Sequence, residues 1–250
     1  MDNSTYVALS LARAMQRDLD VTANNIANAN TAGFKAERII FSSYLHPDNG
    51  QEVGSGTNFV VDQGSYLDET QGAMTRTDNP LDIAVKGDAF LSYRTPEGVV
   101  AFGRDGQLAL DRDGYLVTLS GMRVLDDSGS DISIPPAAGD IKIGVDGTIA
   151  SDQTGVLGKI GMFDLPDVQS YIRLGNSMLT PPPGRESQAR AAVGSELQQG
   201  SIELSNVAPI TEVTRLMMIQ KAYERAVKMM TNEDDLRKDF LRRLGTAAIG

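Results

Sequence analysis

Ala23-Asn24-Asn25-Ile26-Ala27-Asn28-Ala29-Asn30-Thr31-Ala32-Gly33-Phe34-Lys35 places four asparagines at the end of a stretch that otherwise has the spacing of an amphipathic helix. Asparagine is a weak helix former because its short amide competes for the backbone, so this density serves something other than helix propensity. Amides on a helix face can donate and accept toward a neighbouring helix and fix its register. The run can equally be a helix end rich in turn formers, stopped by Gly33 in a left-handed cap. On local chemistry alone the second reading is the simpler one.

Upstream, Leu9, Ala12, Gln16, Leu19, Ala23, Ile26 and Asn30 alternate steps of three and four between Ser4 and Asn30. This is a heptad seam of mostly small residues, suited to close helix approach rather than to a helix that stands alone. At the other end of the chain Leu216, Ile219, Tyr223, Ala226 and Met230 repeat those steps, flanked by Val213, Met217, Ala222 and Val227. A start signal precedes this broader stripe in Ser205-Asn206-Val207-Ala208-Pro209, with candidate side-chain caps and a proline for the first turn. Two such stripes at opposite ends of one chain predict a terminal helical pair.

The texture between them has period two with frequent glycine. Leu81 to Val85, Phe90 to Tyr93, Val99 to Phe102, Gln107 to Leu110 and Tyr115 to Leu119 read as short strands, with Asp105-Gly106 and Asp113-Gly114 as hairpin turns. Further strands are expected at Asp131 to Ile134, Ile141 to Val145, Thr148 to Ala150 and Gly158 to Asp164. The expected class is therefore α+β, a mainly antiparallel β middle domain flanked by long N- and C-terminal helices that pair in a coiled-coil-like core. The boundaries are residues 1–34 for the N-terminal helix, 35–79 for an extended connector, 80–180 for the β-rich outer domain, 181–203 for a return segment through Pro181-Pro182-Pro183-Gly184, and 204–244 for the C-terminal helix.

With 250 residues and 41% hydrophobic content the chain can bury a sizeable core. Its net charge of −10 argues against nucleic acid or an anionic membrane as the main partner. That charge sits in residues 46–220, which carry 12 basic and 24 acidic side chains, whereas the two ends together are about neutral. Neutral ends can crowd against copies of themselves, and an acidic middle favours water. The absence of cysteine excludes disulfides and thiolate chemistry. Neither a cleavable secretory signal nor an apolar run long enough for a membrane span is visible.

No catalytic constellation emerges. His46 is the only histidine and stands before Pro47 in a polar stretch, where a surface role is the default. Asp111-Arg112-Asp113-Gly114, Asp126-Asp127-Ser128-Gly129 and Asp146-Gly147 invite a calcium reading, but none completes the D-x-[DN]-x-[DN]-G loop, and tight turns need Asp-Gly anyway. No catalytic residue, cofactor or metal site is assigned. A secreted β-rich carbohydrate-binding or hydrolase domain is the competing class, and it would need convergent carboxylates in a cleft.

Four segments, in order, are similar to the bacterial flagellar rod and hook family: Ala23 to Lys35, Gly72 to Phe90, Phe102 to Gly121 and Gly200 to Glu224. Two positions depart from the family pattern, Ala89 where glycine is usual and Lys221 where arginine is usual. Length and the lack of a long insertion after Phe34 resemble the rod members more than the hook members. The resemblance implies a structural protein of the basal-body rod in the periplasm, exported unfolded and uncleaved by the flagellar export apparatus. Its implied partners are other rod proteins and copies of itself, with Leu19, Asn24, Asn25, Ile26, Asn28, Leu216, Ile219, Tyr223 and Met230 as subunit-packing residues.

Overall fold

Proline cannot donate a backbone hydrogen bond, so it is tolerated where a helix has no acceptor waiting, and Pro209 opens the longest element of the chain. In the computed structural model, which describes residues 3–47, 56–175, 177–185 and 187–247, that helix is α2 (Pro209–Ala247) and the first is α1 (Asn3–Ala27). After α1 come β1 (Glu37–Pro47), β2 (Gly56–Leu67), β3 (Met74–Arg76), β4 (Ile83–Lys86), β5 (Phe90–Arg94), β6 (Val100–Gly103), β7 (Leu108–Leu110), β8 (Leu116–Thr118) and β9 (Arg123–Val124). The rest are β10 (Ile141–Ile143), β11 (Thr148–Ser151), β12 (Gly155–Lys159), β13 (Met162–Asp164), β14 (Ile172–Leu174), β15 (Met178–Thr180), β16 (Arg190–Ala191), β17 (Glu196–Gln199) and β18 (Ser201–Glu203), all ahead of α2.

The chain divides into two units. The first comprises residues 1–27, 37–66 and 208–250, that is α1, α2 and the two-stranded β1–β2 sheet. Here α1 packs along α2 and against β1. The second comprises residues 28–36 and 67–207 and holds the rest of the β structure.

The centre of the second unit is a nine-stranded sheet whose main path runs β14-β15-β6-β5-β9-β8-β7, with β13 pairing β5 and β16. A three-stranded β10-β11-β12 sheet and the pairs β4–β17 and β3–β18 complete it, and these ladders are antiparallel. Ile83, Leu91, Tyr93, Leu116, Val124, Ile149, Ile160 and Met178 form one buried cluster, and a second gathers Phe90, Phe102, Leu165 and Leu179. Each large apolar side chain removed from water contributes about 1.5–3 kcal/mol, which makes these clusters the main stabilising term of the unit. Tyr93 is wholly buried and donates its hydroxyl to the Asp105 carbonyl at 2.7 Å.

The α+β class and the terminal helices agree with the sequence, and several local expectations do not. Asp113-Gly114 turns β7 into β8, with Gly114 at φ +84° and the Asp111 carboxylate accepting from the amides of Asp113 and Tyr115. Asp105-Gly106 is no hairpin turn, because β6 pairs with β5 and β15 while β7 pairs with β8. Gly106 is required there by packing, since a Cβ would lie 1.7 Å from the Ile83 carbonyl oxygen. Residues 131–134 make only isolated bridges, and the stretch expected as one strand from Gly158 to Asp164 is split between β12 and β13.

Helix ends shift as well. α1 stops at Ala27, six residues before Gly33, so Gly33 does not cap it. Gly33 does hold φ +67°, at a crossing where a Cβ would meet the Arg104 backbone at 2.2 Å. Asn206 is no cap for α2. Its side chain accepts from the Ala36 amide and donates to the Asp68 and Thr70 carbonyls.

Candidate functional site: the terminal helices

The buried face of α1 carries Ala8, Ala12, Ala14, Asp18, Thr22 and Asn25. Leu9, Gln16, Ala23 and Asn30 of the expected seam are exposed, while Leu19 and Ile26 are half-buried. The true face is rotated from the expected one by about one residue position, roughly 100°. Small side chains let the neighbouring backbone approach, and polar ones supply its bonds.

Asn25 shows how. It is buried, its Nδ2 donates to the Glu37 carbonyl at 2.8 Å and its Oδ1 accepts the Glu37 amide at 2.9 Å. One side chain thus takes the place of a strand partner and pins the end of α1 to the start of β1. Asn24 is exposed, and the half-buried Asn28 accepts the Thr31 hydroxyl at 3.2 Å. The asparagine run therefore has divided roles.

Two ion pairs that sequence reasoning missed hold the first unit together. Arg215 on α2 pairs with the buried Asp18 on α1, and Arg38 on β1 pairs with the buried Glu212 on α2, each at 3.0 Å. Burial holds the Asp18 carboxyl above its ordinary range, with Arg215 opposing that shift and the nearby Glu212 adding to it. Glu212 lies in the first turn of α2, where the helix dipole favours an anion, and this position was the available sequence signal.

The stripe on α2 is placed as its spacing predicts. Ile219 and Ala226 are buried, and Leu216, Tyr223 and Met230 are half-buried. Of its flanks, Val213, Met217 and Val227 are exposed and Ala222 is half-buried, and Met218 and Met229 are exposed as well. Thr5 on α1 bonds the Glu233 carboxylate, and every side chain from Asp234 to Leu244 is exposed. That segment includes Leu236 at 70%, Phe240 at 63%, Leu241 at 60% and Leu244 at 53% exposure. At helical spacing these four form an exposed apolar strip on α2.

Asp126 and Asp146 accept from amides and hydroxyls of their own turns, which holds both carboxyls below the usual range against some desolvation. Among the described residues no group of three His, Cys, Asp or Glu side chains is arranged to hold a metal ion, and no helix is long and apolar enough to cross a membrane. His46 falls in β1.

Three family models match the chain: "Flagella basal body rod protein" over residues 6–35, "Flagellar hook protein FlgE/F/G D1 domain" over 84–151 and "Flagellar basal body rod FlgEFG protein C-terminal" over 198–243. The chain is 37% identical to the flagellar basal-body rod protein FlgF of Caulobacter vibrioides, over 98% of this chain and 99% of that protein. It is 35% identical to FlgF of Mesorhizobium japonicum, again over 98% and 99% of the two chains. It is also 28% identical to the rod protein FlgG of Bacillus subtilis, over 96% and 98%. The chain thus belongs to the flagellar basal-body rod protein family, as a FlgF-like structural subunit of the rod.

Proposed function

We propose that the subunit polymerises through its terminal helices, α1 and α2 pairing in a coiled-coil-like core and contacting the same helices of neighbouring rod proteins and of further copies. The observation that carries this reading is the exposed apolar run Leu236, Phe240, Leu241 and Leu244 on α2. Contacts of this kind are heterologous and continue along a helix instead of closing, which is the geometry of a filament. Leu19, Asn24, Ile26, Leu216, Tyr223 and Met230 belong to that packing set, with Asn25, Asn28 and Ile219 supporting it from within the chain. The acidic β unit, with 20 acidic and 12 basic residues in 28–36 and 67–207, is suited to a solvated position.

The proposed station is the proximal rod in the periplasm, because identity to FlgF relatives exceeds that to FlgG relatives. The role is torque transmission without catalysis, after export through the flagellar apparatus. The test is Leu236→Asp with Phe240→Asp. Both side chains already face water, so the monomer keeps its fold, to within about 0.5 kcal/mol per site. Cells with this variant as their only copy lose swimming, and isolated basal bodies lack the protein. Normal swimming would end the reading.

A further inference from the structure

Glu203 at the end of β18 is 1% exposed and lies between two buried cations, Lys35 and Arg104. Its Oε1 accepts Lys35 Nζ at 2.7 Å and the Gly72 amide at 2.9 Å, and its Oε2 accepts Arg104 Nη1 at 3.1 Å. Lys35 Nζ also donates to the Thr70 carbonyl at 2.7 Å, and Arg104 Nη2 donates to the Gly87 carbonyl at 2.7 Å with its guanidinium over the Phe90 ring. The Glu203 carbonyl accepts the Gly33 amide at 2.8 Å. Side chains and backbone are thus engaged together.

Around this centre, residues 33–36 end the first passage of the chain through the β unit, before β1, and residues 203–207 end the second, before α2. The Leu204 amide bonds the Ala73 carbonyl, the Asn206 amide bonds the Phe34 carbonyl, and Phe34, Ala36 and Val207 form a small apolar cluster. Gly33 and Gly72 are the only residue type their crossings admit, since a Cβ would sit 2.2 Å from the Arg104 backbone at one and 1.9 Å from the Leu204 carbonyl oxygen at the other. A buried charge cluster of this kind contributes little net stability relative to apolar packing, yet losing Glu203 leaves two buried cations without a counter-charge, and losing Lys35 takes a donor from both Glu203 and the Thr70 carbonyl. Its members therefore form or fail together.

We propose that Lys35, Arg104 and Glu203 form a latch that makes the two closing segments of the β unit, residues 33–36 and 203–207, open and close as one cooperative element, separate from the unfolding of the central sheet. Residues 33–36 cannot leave without taking the Lys35 ammonium from Glu203 and the Thr70 carbonyl, and residues 203–207 cannot leave without stranding two buried cations.

Hydrogen exchange on the full chain in dilute solution, compared with Lys35→Met and Glu203→Gln, tests the latch. In both variants the amides of Gly33, Ala36, Gly72, Leu204 and Asn206 should exchange at least about tenfold faster, while those of Leu91 and Phe102 keep their protection. Loss of protection spread evenly over the β unit, loss confined to the substituted segment, or no change would each overturn the proposal. If Glu203→Gln does not fold, Lys35→Met decides, because it leaves Glu203 bonded to Arg104 and the Gly72 amide. Failure of both variants to fold would make the cluster a determinant of the whole unit and overturn a separable latch. Motility is not part of this readout, so the rod assignment stands or falls on its own.

Discussion

Asp105 is the residue whose charge depends most visibly on the fold. Burial pushes its carboxyl up to about 6, with the charge of Asp82 adding to the shift and the Gln107 amide opposing it. In the unfolded chain the group has lost its proton by about pH 4, whereas the folded chain keeps it until about pH 6. The folded state binds the extra proton in that window, so this group's contribution to stability falls as pH rises from about 4 to 6. Asp105→Asn keeps an oxygen for the Gln107 amide and removes the titration. Its stability relative to the parent should rise across that window, by about 3 kcal/mol between pH 3 and pH 7. A parent-minus-variant difference that is flat with pH would refute this. Asn25 gives a second prediction at the same scale. Asn25→Ala removes both bonds to Glu37 and should cost about 1–3 kcal/mol in chemical denaturation. Asn25→Asp should cost a similar amount, because a carboxylate cannot donate to the Glu37 carbonyl and is repelled by it. The asparagine run was legible as unusual, but which asparagine mattered was not, since the partner of Asn25 is a backbone twelve residues away.

At the scale of elements, local signals were readable where a partner adjoins in sequence. The turn at Asp113-Gly114 joins two strands that pair with each other, so its chemistry and its topology agree. Asp105-Gly106 has the same dipeptide, but its flanking strands pair elsewhere, and no turn rule contains that information. The face of α1 was misplaced for a related reason. Template spacing follows the largest residues, Leu9, Leu19 and Ile26, whereas the buried face is chosen by where Ala8, Ala12 and Thr22 allow close approach. The α2 stripe was legible because its large residues and its inner face coincide. This contrast predicts uneven stability along α2. Residues 212–230 have partners within the first unit, while from Asp234 onward all side chains through Leu244 are exposed. A helical segment without tertiary packing is marginal in water. Amides of residues 236–244 should therefore exchange at least about tenfold faster than those of residues 216–226 in dilute monomer. Equal protection along the helix would mean that the exposed apolar run is already satisfied within one chain.

At the scale of the whole molecule, the β unit is assembled from stretches that the sequence keeps far apart. The strands of the central sheet were largely readable. The closure by residues 28–36 and 200–207 was not, because Lys35 and Glu203 are 168 positions apart and nothing in either segment names the other as its partner. A pair of fragments separates what the closure does for the fold from what the helices do for assembly. Residues 28–207 retain all of the second unit, with β1 and β2 as an insertion, and should unfold in one cooperative thermal transition. Residues 37–199 lose Lys35, Glu203 and the β3–β18 ladder while leaving Arg104 buried opposite no carboxylate, a change worth about 3–5 kcal/mol. At about 2–4 °C per kcal/mol for a unit of this size, the shorter fragment should melt on the order of 10 °C lower. Neither fragment carries α1 or α2, so neither should restore swimming to cells that lack the full chain, whatever its Tm. Equal melting of the two would show that the closing residues are dispensable to the β unit, and restored swimming by the longer fragment would refute assembly through the terminal helices.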